Sequence, residues 1–290
     1  MARCQLCGTE SLSPAFSRNG FNYHRCSNCA ALFVDLNMAN AAIHARYNET
    51  YFESERNAEG RQGYPSYRET RDTLTAGFLQ KLKLVTKYVD RGRLLDAGAA
   101  YGFFLKVAEP YFQGEGVEIS EYAARTARDE FGVSVEQGDI ERLDKPDATF
   151  DAVVMWDIIE HLVDPTQALL EVNRVLKPGG YLFVSTDDAA NWLPRILGRH
   201  WWAFGAPLHI CHISKKGLTI ACERANLGKP LYFSDPRVYS IPEVIKHFGV
   251  SYESAWLKNV GLYFSSTFLN KMVIRIARPE QFIAVIRKPA

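Results

Sequence analysis

From about residue 90 to residue 190, short apolar runs alternate with stretches whose apolar residues recur every three or four positions. The runs predict strands near residues 93–97, 114–118, 133–137, 150–156 and 180–186, and the stretches between them predict helices near 103–111, 121–131 and 166–176. Strands that alternate with helices build a parallel sheet covered on both faces. Upstream, Leu74, Phe78, Leu82 and Val85 keep helical spacing and predict a helix over about 66–89 that packs across the sheet edge. Downstream, residues 215–226 read as a helix ending near Gly228, and Leu231-Tyr232-Phe233 and residues 281–286 read as strands that complete the sheet. Residues 241–276 are aromatic and apolar without a clear period. The run from Val260 to Ile276 is shorter than a membrane span and carries Lys271 and Arg275, so a lid over the substrate or a dimer contact is expected there before a transmembrane helix. A helix lying on a membrane surface is the third reading.

The first strand of this series turns through two glycines into a helix: Leu94-Leu95-Asp96-Ala97-Gly98-Ala99-Ala100-Tyr101-Gly102-Phe103. Glycine lets backbone approach a ligand closely, and the helix start turns free N–H groups toward it. The spacing is not that of a dinucleotide fingerprint, and Asp96 at the turn would repel a pyrophosphate. A carboxylate there suits an ammonium, which favours S-adenosylmethionine (SAM). Some twenty residues on, Glu118 ends the next run, where an acid can accept both ribose hydroxyl protons. Asp139 follows a third run and could accept from an adenine amino group while the Ile140 N–H donates to the ring. Ligands of such sheets gather at the carboxyl ends of the strands, where Asp96, Glu118, Asp139 and Trp156 would meet.

Leu95-Asp96-Ala97-Gly98, Val117-Glu118, Gly138-Asp139-Ile140, Phe150-Asp151-Ala152-Val153-Val154 and Arg174-Val175-Leu176-Lys177-Pro178-Gly179-Gly180, in this order, resemble the class I SAM-dependent methyltransferases. The resemblance implies a Rossmann-like seven-stranded sheet with helices on both faces, its last strand inserted antiparallel. It also implies a cofactor site made of Asp96, Gly98, Ala100, Tyr101, Gly102, Phe103, Glu118, Ile119, Asp139, Ile140, Trp156 and Asp157. The family often has glycine where this chain has Ala100, a difference of one methyl group. The implied chemistry is in-line displacement at a sulfonium methyl, in which the protein mainly aligns the reactants.

Charge is balanced: 34 Lys and Arg against 33 Asp and Glu, a net of +1, so no global field recruits nucleic acid or anionic membrane. Met1-Ala2-Arg3-Cys4 lacks the apolar run of a signal peptide, and a cytoplasmic location is expected. Four of the six cysteines form two pairs, Cys4/Cys7 and Cys26/Cys29, at the spacing of a four-thiolate zinc site. Four thiolates close a tetrahedron and leave no position for water, so zinc would be structural and would fold a small ribbon over residues 1–35. Two disulfides or a ribbon without metal are the alternatives. His24 is a spare donor or a solvated side chain, and Cys211 and Cys222 read as buried small residues. Arg3, Arg18 and Arg25 against Glu10 and Asp35 leave the ribbon at 3 − 2 = +1, weak support for RNA. Similar ribbons precede the methyltransferase domain in bacterial enzymes acting on sugars, glycans and natural products, the group this chain resembles more.

Three domains are expected: the ribbon at 1–35, a connector and helix at 36–89, and a methyltransferase domain at 90–290 with insertions around 190–215 and 235–278 that cover the substrate. Within the connector, Tyr47, Tyr51 and Phe52 either fold over the cofactor as a lid or anchor the connector to the domain. After the fourth strand, Asp157, Glu160 and His161 would share one face if the chain turns helically. They bind a divalent ion, as a related motif of the ubiquinone-pathway O-methyltransferases has been linked to one, orient a substrate hydroxyl, or brace the loop. In the insertion, His209 and His212 can titrate near neutrality, and with His161 they are the candidate proton acceptors, His209 first among them. The expected activity is methyl transfer from SAM to a hydroxyl of a sugar, glycan precursor or natural product, with neither nucleic acid nor membrane as partner and homodimer formation left open. An RNA base methyltransferase and a non-catalytic SAM-binding scaffold are the alternatives.

Overall fold

The computed structural model describes residues 3–36, 40–53, 67–68, 70–240, 273–276 and 278–290. The chain opens with an antiparallel ribbon of β1 (Leu12–Arg18), β2 (Phe21–Cys26) and β3 (Leu32–Val34). Two short helices, α1 (Asn40–His44) and α2 (Glu49–Glu53), and the longer α3 (Arg71–Val85) lead into the main domain.

There the predicted alternation is found: β4 (Gly92–Ala97), α4 (Phe103–Ala108), β5 (Phe112–Glu118), α5 (Glu121–Phe131), β6 (Val135–Gln137), β7 (Phe150–Trp156), α6 (Pro165–Val175) and β8 (Leu176–Asp187). Local chemistry sets the boundaries. Ser120 accepts from the Ala123 N–H to start α5, and Gly132, at φ +65°, ends it. Asp164 accepts from the Gln167 N–H to start α6, with Pro165 in its first turn. Helix α4 stops at Ala108, short of the expected 111. Strand β8 begins as soon as α6 ends, so Lys177-Pro178-Gly179-Gly180 belongs to the strand.

Beyond it lie α7 (Trp192–Leu197), the two-residue β9 (Cys211–His212), α8 (Lys215–Arg224), β10 (Leu231–Ser234), β11 (Arg237–Ser240), β12 (Val273–Ile276) and β13 (Gln281–Arg287). The main sheet runs β10-β13-β8-β7-β4-β5-β6, with β13 antiparallel to both its neighbours and the pairs from β8 to β6 parallel. The chain enters at β4 and builds outward first to one side and then to the other. The strand order therefore reverses between β4 and β7, which is where such sheets open a ligand crevice.

Each face of the sheet has its own core. Leu82 and Val85 of α3 pack with Leu94, Phe104, Val154, Phe183 and Ile283. The helix thus contributes to the core of one sheet face. On the other face, α6 and α8 pack with Val153, Leu182 and Val184, and Cys4, Leu6, Cys26 and Cys29 of the ribbon join the same core.

The ribbon is correspondingly tied to the domain. Strand β9 pairs with β3, Leu32 opposite His212 and Phe33 opposite Cys211. Arg224 of α8 donates to the carbonyls of Gln5 and Leu6 at 3.1 and 2.8 Å, and Ser214 donates to that of Cys29. The expected lid, dimer contact or surface helix over 241–276 lies outside the described residues except for β12, which pairs with β11. Among the described residues no helix is long and apolar enough to cross a membrane.

Candidate active site

A cleft opens over the carboxyl ends of β4, β5 and β7. Backbone geometry makes room for it. Gly98 sits at φ +92°, and a Cβ there would lie 2.3 Å from Ile158 Cδ1. Gly102, at φ +73°, precedes α4, and a Cβ there would lie 2.4 Å from Val133. Ala100 also has a positive φ, +48°, a strain of roughly 1 kcal/mol that a glycine at this position would not carry.

Gly98, Ala100, Glu118, Ile119, Asp139, Ile140, Trp156 and Asp157 all line the cleft. Glu118 is 5% exposed; its two carboxylate oxygens accept from the N–H groups of Ala100 and Ser120, each at 2.9 Å. Asp139 accepts from the Glu141 N–H at 2.9 Å. Asp96 is 2% exposed and stands behind the wall. Burial, and then the charge of Glu118, push its carboxyl up to about 8. Burial likewise raises Glu118, against the pull of its two N–H donors.

Three residues expected in the cofactor wall do other work. Tyr101 is fully buried, stacked on Phe52 and Phe131 at 5.3 and 5.9 Å, and its hydroxyl donates to Glu53 at 2.6 Å. Phe103 stacks on Tyr67 at 5.4 Å, and Gly102 sets the turn without reaching the wall. The physical reason is direction: the first turn of α4 presents these rings to α2 and α5, not to the strand ends. The aromatic segment of the connector is anchored to the domain and borders the cleft. Phe52 is buried as an anchor, while Tyr47, Tyr51 and Phe52 form cleft wall.

At the floor, Asp157 has φ +58° and bonds Ser185 at 3.1 Å and Arg237 at 2.6 Å, with Lys81 3.6 Å away. Burial pushes its carboxyl up, but Arg237 and Lys81 outweigh burial and hold it below its ordinary value. Lys81 itself is buried, 4.8 Å from the Trp156 ring centre and 3.4 Å from Asp235. Neither Lys81 nor Arg237 stands out in the sequence. A lysine inside the apolar stripe of α3 is the one signal for the first, and nothing marks the second.

Glu160 and His161 lie on a 3-10 turn after β7. Glu160 is buried and accepts from the Thr186 hydroxyl at 3.0 Å; burial, then Asp157, push it up to about 8. His161 lines the cleft, its Nδ1 lying 3.1 Å from the Leu208 carbonyl and 3.0 Å from the Tyr47 hydroxyl. Burial, then His209, lower it to about 3, so it is neutral. His209 meets His161 edge-on, ring centres 4.7 Å apart, with its Nδ1 2.8 Å from the Ala203 carbonyl. One ligand atom from each of Glu160, His161 and His209 lies within 4.8 Å of the others. The structure thus joins His209, and not Asp157, to the pair.

His212 is a correction. It is 3% exposed among Tyr23, Trp201 and Phe204, and burial lowers it well below its ordinary value. Neighbouring strand residues face opposite ways, so β9 sends Cys211 to the main core and His212 into this aromatic cluster, away from the cleft.

At the ribbon, the four sulfurs of Cys4, Cys7, Cys26 and Cys29 lie within 4.8 Å of one another, with Cys4–Cys29 at 3.6 Å and Cys7–Cys26 at 3.5 Å. All six cysteines are free thiols. Each pair bends as a knuckle: the Gly8 N–H donates to the Cys4 carbonyl and the Ala30 N–H to that of Cys26, both residues at positive φ. His24 stands apart, 4.0 Å from Asp35.

Sheet order, a reversed strand one in from the edge and acids at successive strand ends define a Rossmann-like protein of the methyltransferase type. The chain belongs to the methyltransferase-domain family, whose model matches residues 67–228. It is 31% identical over 118 residues to a ubiquinone biosynthesis O-methyltransferase of Alkalilimnicola ehrlichii, covering 38% of this chain and 48% of that one. Against an uncharacterized methyltransferase of Schizosaccharomyces pombe it is 35% identical over 119 residues, 35% of this chain and 42% of that one. The chain thus spans less than half the length of these relatives. A crystal structure of a SAM-dependent methyltransferase from Thermotoga maritima shares the fold, with a TM-score of 0.51 at 24% identity over 77% of this chain and 94% of that one.

Proposed function

We propose that the protein transfers a methyl group from SAM to a hydroxyl of a small molecule, with a sugar, glycan precursor or natural product as the acceptor class. The observation that carries the donor is the pair of buried acids, Asp96 and Glu118, at the ends of adjacent strands, both pushed toward the neutral form in the absence of a cation. Two such groups favour a positively charged ligand. Glu118 would accept from the ribose hydroxyls, Asp139 and the Ile140 N–H would meet the adenine, and Gly98 and Ala100 would let backbone come close. When bound, SAM supplies an electrophilic methyl group on a sulfonium. On the acceptor side we assign His161 and His209 as the groups placed to take the proton of a hydroxyl: the His161 Nδ1 lies 3.1 Å from the Leu208 carbonyl and 3.0 Å from the Tyr47 hydroxyl, and the His209 Nδ1 2.8 Å from the Ala203 carbonyl.

The four thiolates of the ribbon would hold a structural zinc. Tetrahedral zinc with bonds of about 2.3 Å sets its sulfurs about 3.8 Å apart, and the sulfur separations of 3.6 and 3.5 Å support it. The ribbon then works inside the enzyme, holding β9 and with it the segment that carries His209. Its arginines support this reading over RNA binding: Arg18 donates to the carbonyls of Arg199 and Trp201, Arg25 to that of Ala30, and Arg3 pairs with Glu10. Incubation with labelled SAM and a panel of hydroxylated metabolites tests the proposal. Label in a small-molecule ether is the expected result; label found only in RNA, or no turnover although SAM binds, would replace it with one of the two alternatives.

A further inference from the structure

We propose that α7 and the turn after it, through Trp192, Arg195, Ile196, Arg199 and Trp202, dock the protein onto the surface of an anionic lipid bilayer. Apolar side chains scattered singly on a surface are ordinary, but these are clustered. Both exposed tryptophans among the described residues, Trp192 and Trp202, lie in this one segment, and Ile196, at 73%, is the most exposed large apolar side chain. Trp192 and Ile196 are four residues apart on α7 and share a helix face. The segment does not need them for its own packing. Pro194 is buried beneath it, and Leu197 packs against the aromatic cluster of Tyr23, Trp201 and Phe204.

The charge that accompanies these side chains is positive. Residues 189–210 contain Arg195 and Arg199 and no acid, although the chain as a whole is nearly neutral. Asp188 feels the charge of Arg195, but it is buried and accepts from the Ala190 N–H at 3.0 Å. The Arg199 Nε donates to His200 at 3.4 Å, a contact that leaves its charge in place. Two ribbon arginines stand close by: Arg18 donates to the carbonyls of Arg199 and Trp201, and Arg25 is lowered by burial and then by the charge of Arg195. Carbonyl partners hold these guanidinium groups without neutralising them, so an array of phosphates would relieve their mutual repulsion.

Size and chemistry select the bilayer over other partners. Three partly exposed side chains offer on the order of a few hundred Å², well below the roughly 800 Å² per partner of a stable protein interface. A second copy related by a two-fold axis would also set these arginines against their own counterparts. Tryptophan beside arginine suits single-stranded RNA as well, because bases stack on indole rings. The aliphatic Ile196 gains nothing from a base or a phosphate, and it is the side chain that protrudes furthest. Tryptophan and isoleucine on one face with arginines alongside match the boundary between headgroups and acyl chains. The segment is tied to the histidine end of the cleft: the carbonyl of Ala203, next to Trp202, lies 2.8 Å from the His209 Nδ1, and His209 meets His161.

Co-sedimentation of the purified protein with lipid vesicles tests this. The probes are phosphatidylcholine vesicles, the same vesicles with about one-third phosphatidylglycerol, and a single-stranded RNA oligonucleotide. We expect binding to the anionic vesicles that falls as salt is raised, and binding to the neutral ones at least about tenfold weaker. Trp192→Ser with Ile196→Ser removes the apolar contact, and Arg195→Gln with Arg199→Gln removes the charge. Each pair should weaken binding to anionic vesicles at least about tenfold. All four side chains are exposed, so the variants keep the fold, which thermal unfolding checks; Ile196→Ser alone serves if the serine pair does not. No binding to anionic vesicles, equal binding to both kinds, or unchanged binding in both variant pairs overturns the proposal. So does retention of RNA, or a dimer that the serine pair abolishes, where vesicles are not bound. Vesicle binding needs no methyl donor, so its failure would leave the proposed methyl transfer standing.

Discussion

Asp96 is the residue whose ionisation the fold perturbs in a way that can be read directly. Its folded value near 8, against an ordinary 3.8, means that the folded protein holds a proton the unfolded chain has already lost. This group therefore costs least stability below about pH 4, and its cost grows as pH rises toward 8. Denaturation of Asp96→Asn beside the wild type should show the variant gaining by on the order of a few kcal/mol at pH 8.5 relative to pH 4; a difference that does not change with pH would contradict the assignment. At Lys81 the cost comes from a lost partner. Lys81→Met leaves Asp235 and Asp157 short of a buried partner, and should cost about 3–5 kcal/mol and weaken donor binding through the floor of the cleft. Unchanged stability in urea denaturation would show that the network does not depend on the lysine. Asp96, Glu118 and Asp139 are legible in the sequence because each closes a run whose period marks a strand. The places of Tyr101 and Phe103 are not, since their direction depends on how α4 rotates against α2 and α5.

Among the elements, the ribbon differs most from what its sequence implies. The cysteine spacing marks the knuckles, but a two-residue strand such as β9 carries no periodicity, so neither its pairing with β3 nor the burial of His212 is written in the pattern. The pairing has a consequence. Removal of the proposed zinc or the substitution Cys26→Ser should loosen more than residues 3–34, because Val34 donates to the Ile210 carbonyl at 2.9 Å and His209 adjoins that bond. Hydrogen exchange should rise across residues 203–214 as well as in the ribbon, and exchange confined to the ribbon would show that the two are mechanically separate. The alternation of strands and helices from β4 to β8, by contrast, is plain from apolar period alone. Period fixes the ends less well: α4 is shorter than it predicts, and β8 starts without a loop.

For the molecule as a whole, sheet order brings together residues far apart in sequence: a glycine turn after β4, acids after β5 and β6, a turn after β7, and an insertion held by the ribbon. In the proposed donor half, Glu118 lines the cleft and Asp96 stands buried behind it. The acceptor half depends on a contact between residues 161 and 209 that only the assembled fold creates. Titration calorimetry with S-adenosylhomocysteine on the wild-type protein and on Glu118→Ala is the most direct test of the donor site. We predict saturable binding at one site per chain, weakened at least about tenfold in the variant, which loses an acceptor for the ribose hydroxyls and the tie to the Ala100 and Ser120 N–H groups. Absence of binding to the wild type, or equal affinity in the variant, would contradict the account.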